Sequence, residues 1–372
     1  MIRLLQFADV INKADFIDTI IQNADRSRFE VSVCVRTEEH NIATPEFPAD
    51  VKYQLLPGNS RRDAVRTAWR LSRLLKEWDI DILHAHHFEQ AIVGYLATRF
   101  YRKTKLVIGR HYSDAIYRQP CLLKQKGLLA IEQLTNRAAQ RIIVPSRFIF
   151  DILIGQGVPA EKIDVVLYGF DPEKYSAVTE NDIRSIKDEF GLDGKIVFAN
   201  FGRLHEEKGQ RYLITATAEL VRRIPNALIL IVGEGTERPA LEKQIDELGL
   251  GKSVKLAGWR KDAMKIMAAA DVVVQSTLQE AFSQVMCEAL WMNKPLVISD
   301  VSGAVDIINE TNGIMIPKAD PTALCDAMER LASDATLRDQ IGTNGRNFVS
   351  RELTIDKMIG QYEAAFTNAL YE

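Results

Sequence analysis

Long apolar runs are missing from this chain of 372 residues: no window approaches the roughly 18 uninterrupted apolar residues of a membrane-crossing helix. Cysteine is scarce. Cys34, Cys121, Cys287 and Cys325 are scattered without paired spacing, which excludes a disulfide framework and a zinc-ligand set and leaves reduced thiols as the expectation. A surplus of one charge is missing too, since 47 basic residues meet 50 acidic ones for a net −3, so bulk charge gives no reason to expect nucleic acid as a partner. No Gly-x-Gly-x-x-Gly follows the first strand-like run, which argues against a dinucleotide-dependent dehydrogenase. The opening Met1-Ile-Arg-Leu-Leu-Gln-Phe7 turns polar quickly and is expected as a first strand rather than a leader, with a cytoplasmic location, either dissolved or at the inner face of a membrane.

What is present is alternation. With 47% apolar side chains and this length, two domains with full cores are expected. Apolar runs at Ile2–Phe7, Val31–Val35, Ile80–His84, Leu106–Ile108 and Arg141–Pro145 are separated by segments of helical periodicity. A second series runs through Ile196–Phe201, Leu228–Val232, Val254–Leu256, Val272–Gln275, Leu296–Ser299 and Gly313–Ile316. Strand followed by helix, repeated, predicts an α/β fold of two doubly wound, Rossmann-like domains whose parallel sheets are covered on both faces. The expected divisions are a first domain over 1–172, a charged linker over 173–194, a second domain over 195–350 and a C-terminal helical segment over 351–372. That last helix carries Ile355, Met358, Ile359, Tyr362, Ala365 and Phe366 on one face and must dock on one domain or the other.

Charge is divided unevenly between the halves. Between Val51 and Arg147 stand 18 basic residues against 7 acidic ones. The helix expected over 64–78 turns Val65, Trp69, Leu71, Leu74, Leu75 and Trp78 toward a core and spaces Arg62, Arg66, Arg70 and Arg73 elsewhere. A basic excess of that kind fits a solvated face, an anionic membrane surface or a phosphorylated substrate.

Ligands of open α/β sheets bind beyond the carboxyl ends of the strands, so the turns there are the candidate site. After Ile196–Phe201 comes Gly202-Arg203-Leu-His-Glu-Glu-Lys208-Gly209, a fork and a point charge suited to a diphosphate. Gly233-Glu-Gly235 follows the next strand, where glycine lets a flat base or ribose approach the backbone, and Gly258-Trp259 follows the one after. Beyond Val272–Val274 come Glu280 and Glu288, two carboxylates at and inside a strand-to-helix turn. They are too far apart to form an acid/base pair but are placed to hold two ends of one extended ligand, while the N–H groups of Phe282, Ser283 and Gln284 await an anion. A sugar nucleotide has that layout, with hydroxyls at both ends and phosphates between.

These segments, together with Glu207-Lys208-Gly209, Leu256-Ala-Gly-Trp259, Asp271 with Ser276, the Glu280-x7-Glu288 spacing and Asn312-Gly-Ile-Met-Ile-Pro317, resemble the retaining glycosyltransferases of family 4, of GT-B architecture. In the first half Asp81-Ile-Leu-His-Ala-His86, Gly109-Arg-His111, Val144-Pro-Ser146 and Val166-Leu-Tyr-Gly-Phe-Asp171 look like the family's corresponding turns. The resemblance implies two facing domains with a cleft between them, transfer of a hexose-type sugar from a nucleoside diphosphate sugar to a hydroxyl of a glycan or lipid-linked acceptor, and no metal or other cofactor. No Asp-x-Asp follows a strand, and His84, His86 and His87 lack metal-ligand spacing. By the same resemblance Arg203 and Lys208 hold the diphosphate as it leaves, Glu288 the ribose, and Glu280 with Phe282 and Ser283 the donor sugar, beside which His111 sits. Gly202, Gly235 and Trp259 complete the donor side. Where the family has a glycine-rich turn after its first strand, this chain has Ala8-Asp9-Val-Ile-Asn12-Lys13-Ala14, so Asp9, Asn12, Lys13 and His86 are expected on the acceptor side. The competing readings are a sugar-nucleotide epimerase of the same fold, which would convert donor without acceptor, and a non-catalytic sugar-nucleotide-binding protein.

Overall fold

The computed structural model describes residues 1–9, 16–37, 47–58, 63–112, 121–175, 177–280, 282–301 and 303–371. The chain divides into two compact units, one of residues 1–169 with 355–372 and one of residues 170–354.

The first unit runs β1 (Ile2–Ala8), α1 (Phe16–Asn23), β2 (Phe29–Thr37), β3 (Lys52–Pro57), α2 (Ala64–Glu77), β4 (Ile82–His86), α3 (His87–Phe100), β5 (Lys105–Gly109), α4 (Leu122–Ala138), β6 (Arg141–Val144), α5 (Arg147–Gly155) and β7 (Ile163–Val165). Its strands form one parallel sheet in the order β3-β2-β1-β4-β5-β6-β7. The strand order reverses at β1 and β4, which makes the crevice beyond their carboxyl ends the expected binding position. Near-continuous apolar strands are what a sheet covered on both faces needs, and Leu4, Leu5, Phe7, Ile82, Leu83, Val107, Ile142 and Ile143 are fully buried. In α2 the core takes Ala68, Leu71, Leu74 and Leu75, whereas Val65 and Trp69, expected inside, are exposed. A helical stripe through 64, 68, 71 and 75 leaves 65 and 69 on its flank, where the Arg73 guanidinium covers the Trp69 ring at 5.1 Å.

The second unit begins with α6 (Glu180–Phe190), inside the stretch expected as a linker. A reciprocal capping box starts it: Asp182 N–H donates to Thr179 Oγ1 and Thr179 N–H to Asp182 Oδ2, and Gly191 at φ 62° ends it. There follow β8 (Ile196–Phe201), α7 (Gln210–Arg223), β9 (Ala227–Val232), α8 (Arg238–Glu247), β10 (Val254–Gly258), α9 (Ala263–Ala269), β11 (Val272–Gln275), α10 (Gln284–Trp291), β12 (Leu296–Ser299), β13 (Ile314–Ile316), α11 (Pro321–Ser333) and α12 (Ala335–Glu352). The sheet order is β10-β9-β8-β11-β12-β13, all parallel, with the reversal at β8 and β11.

The last helix, α13 (Ile355–Tyr371), belongs to the first unit, where Met358, Ile359, Tyr362 and Phe366 join the core built on β1, β2 and β4. The buried Glu363 fixes its register by accepting from Asp25 N–H at 2.8 Å and pairing with Arg28 at 2.9 Å.

Candidate active site

In the second unit the turns after β8 and β11 are fastened together. Leu278 N–H and Thr277 Oγ1 both donate to the Glu207 carbonyl, and Ser276 Oγ donates to the Lys208 carbonyl. Gly209, at φ 63°, lies so close to this turn that a Cβ there would fall 2.1 Å from the Ser276 carbonyl oxygen. Only glycine allows that approach. Across the junction Lys208 Nζ donates to Glu280 Oε2 at 2.6 Å, both side chains being mostly covered. Arg203 points into solvent with 75% of its side chain exposed and pairs with Glu207 at 2.9 Å.

Ser283 is the N-cap of α10: its Oγ accepts from Met286 N–H at 3.2 Å, while Phe282 precedes the cap. Glu280 therefore lies outside the helix that carries Glu288, and the two carboxylates project from different backbone environments. Glu288 is largely buried, burial pushes its carboxyl above the ordinary range, and the hydrogen bond from Tyr175 opposes that shift. Tyr175 O–H donates to Glu288 Oε1 at 2.8 Å and Gln284 Nε2 donates to the same phenol at 2.9 Å.

One expectation, about glycine, needs correction. Gly235 faces protein rather than an open ligand surface, because a Cβ on it would meet the Leu204 carbonyl oxygen at 2.2 Å. A Cβ on Gly233 would likewise fall 2.0 Å from the Gly202 carbonyl oxygen. These glycines let the β9 turn lie against the β8 turn. Trp259 is 66% exposed at the end of β10.

In the first unit the polar groups at the reversal are neutral and enclosed. Gln6 on β1 and His84 and His86 on β4 are fully buried. The Gln6 carbonyl oxygen accepts from His84 Nδ1 at 2.9 Å and from His86 Nε2 at 2.7 Å. His86 must then use Nδ1 as acceptor, which assigns the proton to His111 Nε2 at 3.1 Å and leaves His111 Nδ1 to accept from Tyr168 O–H at 2.6 Å. Burial pushes His84 down to about 3 and holds His86 and His111 well below the ordinary imidazole value, the neighbouring rings adding to the effect. Gly109 forms the floor: a Cβ there would stand 2.4 Å from His111 Nε2 and 3.0 Å from both His84 and His86. Phe16 stacks on Tyr168 at 4.7 Å and covers His111 at 4.1 Å.

The residues flanking His111 are anchored separately. Glu132 of α4, 1% exposed, accepts from Arg110 Nε at 3.0 Å, Tyr112 O–H at 2.6 Å and Gln156 Nε2 at 2.7 Å. His86, expected to meet an acceptor, is instead sealed inside this relay with both nitrogens engaged, because it belongs to the buried strand β4. Asp9 is exposed at the end of β1, and Asn12 and Lys13 lie outside the described residues. Gln6, Tyr168, Tyr175 and Glu132 were not anticipated. The signal for Gln6 was available, since an amide inside an otherwise apolar strand needs a buried partner. Among the described residues no cluster of three His, Cys, Asp or Glu side chains could hold a metal ion, none of the four cysteines is in a disulfide, and no helix is long and apolar enough to cross a membrane.

Two parallel α/β units, each reversing its strand order around a decorated pair of turns, define a GT-B fold. The solved HepE of Anabaena in complex with UDP matches at a TM-score of 0.82 over 99% of this chain and 100% of that one, with 22% identity. Sucrose-phosphate synthase of Thermosynechococcus elongatus matches at 0.79 over all of both chains, with 18% identity. The sequence pattern of the family described as Glycosyl transferases group 1 fits residues 182–348, and that of Glycosyltransferase Family 4 fits residues 15–174. Among curated relatives, alpha-D-kanosaminyltransferase of Streptomyces kanamyceticus is 28% identical over 75% of this chain and 76% of its own length. The UDP-Gal:alpha-D-GlcNAc-diphosphoundecaprenol alpha-1,3-galactosyltransferase of Escherichia coli is 29% identical over 78% and 77%. The chain belongs to the family 4-type glycosyltransferases of GT-B fold.

Proposed function

We propose that the chain moves a hexose-type sugar from a nucleoside diphosphate sugar to a hydroxyl of a glycan or lipid-linked acceptor, with retained anomeric configuration and without a metal ion. The observation carrying this reading is the Lys208–Glu280 pair across the fastened turns after β8 and β11. Lys208 has three N–H donors and gives one to Glu280, which leaves two for phosphate oxygens. Glu280, placed beside Lys208 at the head of this turn, would meet a hydroxyl of the donor sugar. The Arg203–Glu207 ion pair is largely exposed on the arginine side and worth at most about 1 kcal/mol, so breaking it to turn the guanidinium onto a diphosphate costs little. Glu288 is fixed through one oxygen by Tyr175 and offers the other to the ribose. Phe282 and Ser283 contribute backbone, and Gly202 keeps the β8 turn open to the phosphates. Support for these partner classes comes from HepE, solved with UDP and with UDP-glucose, and from the relative whose name specifies UDP-Gal and a diphosphoundecaprenol-linked acceptor.

Retention follows most simply from front-face attack. The bond from the anomeric carbon to the leaving phosphate oxygen breaks, a bond to the acceptor oxygen forms on the same face, and the acceptor proton passes to that phosphate oxygen. Both nitrogens of His111 are committed inside the protein, so we give the imidazole no proton-transfer role and assign it a place on the sugar side through its backbone and ring edge. The test is a panel of UDP-, GDP- and ADP-sugars read by thermal stabilisation, followed by NMR of the product's anomeric centre with and without chelator. A bound donor at 100 times its Kd should stabilise by about 2.7 kcal/mol. The reading predicts one stabilising nucleotide class, an unchanged anomeric configuration and no effect of chelator. A panel without a stabilising member, or an inverted product, overturns it.

We further propose peripheral contact with an anionic membrane through Arg66, Arg70 and Arg73 of α2 with the exposed Trp69. Co-sedimentation with vesicles containing phosphatidylserine should weaken as salt rises; binding indifferent to salt contradicts it.

A further inference from the structure

The amino end of the first unit's sheet carries a row of ion pairs with one gap. Arg3, near the start of β1, pairs with Asp81 at 3.0 Å and also with Asp79, which Lys103 reaches as well. On the far side Arg141, at the start of β6, grips Asp164 of β7 through two hydrogen bonds, at 2.9 and 2.7 Å. Between them, at the start of β5, lies a cavity of about 250 Å³ lined by Arg99, Arg102, Lys105 and Gln140, and no carboxylate lines it. Among the described residues, none of these three cations has an acidic partner. The countercharge that the rest of the edge draws from the protein is missing here.

Helix ends account for only part of this charge. α3 and α4 both finish at this edge, where a cation offsets the partial negative charge of the last carbonyls. At α4 that duty falls to Lys162, whose Nζ donates to the Arg137 and Ala139 carbonyls at 3.2 and 3.0 Å. At α3 it falls to Arg99, in the last turn. Arg102 and Lys105 lie beyond the end of α3 and have no such duty. Gln140 joins them: its N–H and Oε1 are both spent on Leu106, at 2.9 and 3.0 Å, which fixes the amide and leaves its Nε2 hydrogens as donors. Like charges sharing one cavity repel until an anion enters, and guanidinium forks beside an ammonium match phosphate oxygens. The space falls below the roughly 300–1,000 Å³ of sites that enclose a drug-sized ligand, so a compact anion fits it. We propose that this cavity is a phosphate-binding site, which takes an anion of at least two charges through Arg99, Arg102, Lys105 and Gln140. It stands at the opposite end of β5 from Gly109 and the histidine relay, so its ligand does not share their crevice. The same chemistry is offered by a free phosphate or pyrophosphate and by the phosphate head of a lipid.

The test titrates inorganic pyrophosphate by calorimetry into the full wild-type chain and into Arg102→Gln/Lys105→Gln, with excess UDP present to occupy the second unit. The double variant should bind pyrophosphate at least about tenfold more weakly and UDP within about twofold of wild type. Without pyrophosphate it should melt no lower than wild type, because a repulsion has been removed. Saturating pyrophosphate should raise melting of the wild type by about 2–4 °C and leave the variant unmoved. Arg102→Glu, a change at an exposed position, should abolish the binding by itself. A parallel arm sediments both chains with phosphatidylcholine vesicles containing phosphatidic acid. Vesicle binding that falls with the double substitution assigns the lipid head, and a fall confined to pyrophosphate assigns the free anion. Equal behaviour of wild type and variants toward pyrophosphate and vesicles overturns the proposal, as does a wild type that binds neither. The comparison is independent of the glycosyltransfer reading, since every chain compared carries the same second unit.

Discussion

At the strand reversal of the second unit the polar groups are acidic and basic side chains: Lys208 pairs with Glu280, Arg203 stands in solvent beside Glu207, and Glu288 accepts from Tyr175 through one oxygen. At the same place in the first unit they are neutral and enclosed, with Gln6, His84 and His86 fully buried and their hydrogen bonds running in one direction toward the Gln6 carbonyl. One strand order thus presents two kinds of surface. Countercharged groups suit a ligand that brings its own charge and displaces an ion pair, whereas a desolvated neutral relay suits a hydroxyl, which gains nothing from a cation and is oriented by rigid geometry. Fold similarity alone could not have assigned the two roles, because both units have the same topology.

Four changes would break or sharpen this contrast, taken from the largest expected effect to the smallest. Glu132→Ala strands the Arg110 guanidinium, 1% exposed, without its carboxylate and should cost the first unit about 3–5 kcal/mol by urea unfolding. UDP affinity of the folded chain should be unchanged, and a parallel loss of UDP binding would mean that the units do not divide the work. Lys208→Ala should leave melting nearly unaltered and lower turnover about 100-fold, the scale of one electrostatic donor at a leaving group, about 3 kcal/mol. Near-normal turnover would remove the phosphate role. Gly109→Ala puts a methyl group 2.4 Å from His111 Nε2 and should cost about 1–3 kcal/mol, with a fall in transfer but not in donor binding. Calorimetric melting and donor titration together separate the two outcomes.

The mildest change is pH. His84 has its folded-state value lowered to about 3 from 6.5, and His86 and His111 shift in the same direction. The stability these neutral rings contribute is therefore fully present above pH 6.5 and is lost as the pH falls toward 3, by up to about 1.4 kcal/mol per pH unit for His84 alone. Asp79, Asp81 and Asp182 are held below the ordinary carboxylate range, so the stability they contribute is present above that range and does not change over the interval tested. Urea midpoints at pH 7.5 and 5.5 should show the drop, and equal midpoints would mean that the relay is not neutral.

Strand runs such as Ile196–Phe201 and Val272–Gln275 were legible because a doubly covered parallel strand must be apolar throughout, and the turns beyond them named Lys208, Glu280 and Glu288. The strand β3 was not legible, since Lys52–Pro57 is half exposed and carries no apolar run. Nor was α6, whose charged composition resembles a linker until its capping box is seen. Partners are what the sequence hides best. Glu288 is 113 residues from Tyr175, and Gln6 is 80 from His86, so no local pattern couples them. Gly235 was misjudged for a related reason: the backbone that requires it there, Leu204, comes from a different turn.

The central claim is that the second unit receives the diphosphate through Lys208. Calorimetric titration of UDP into wild type and Lys208→Met tests it most directly, because methionine keeps the stem of the side chain and removes only the charge and its donors. The account predicts UDP binding to wild type, weakened at least about tenfold by the substitution, or about 1.4 kcal/mol. Equal affinity for the two proteins would contradict it.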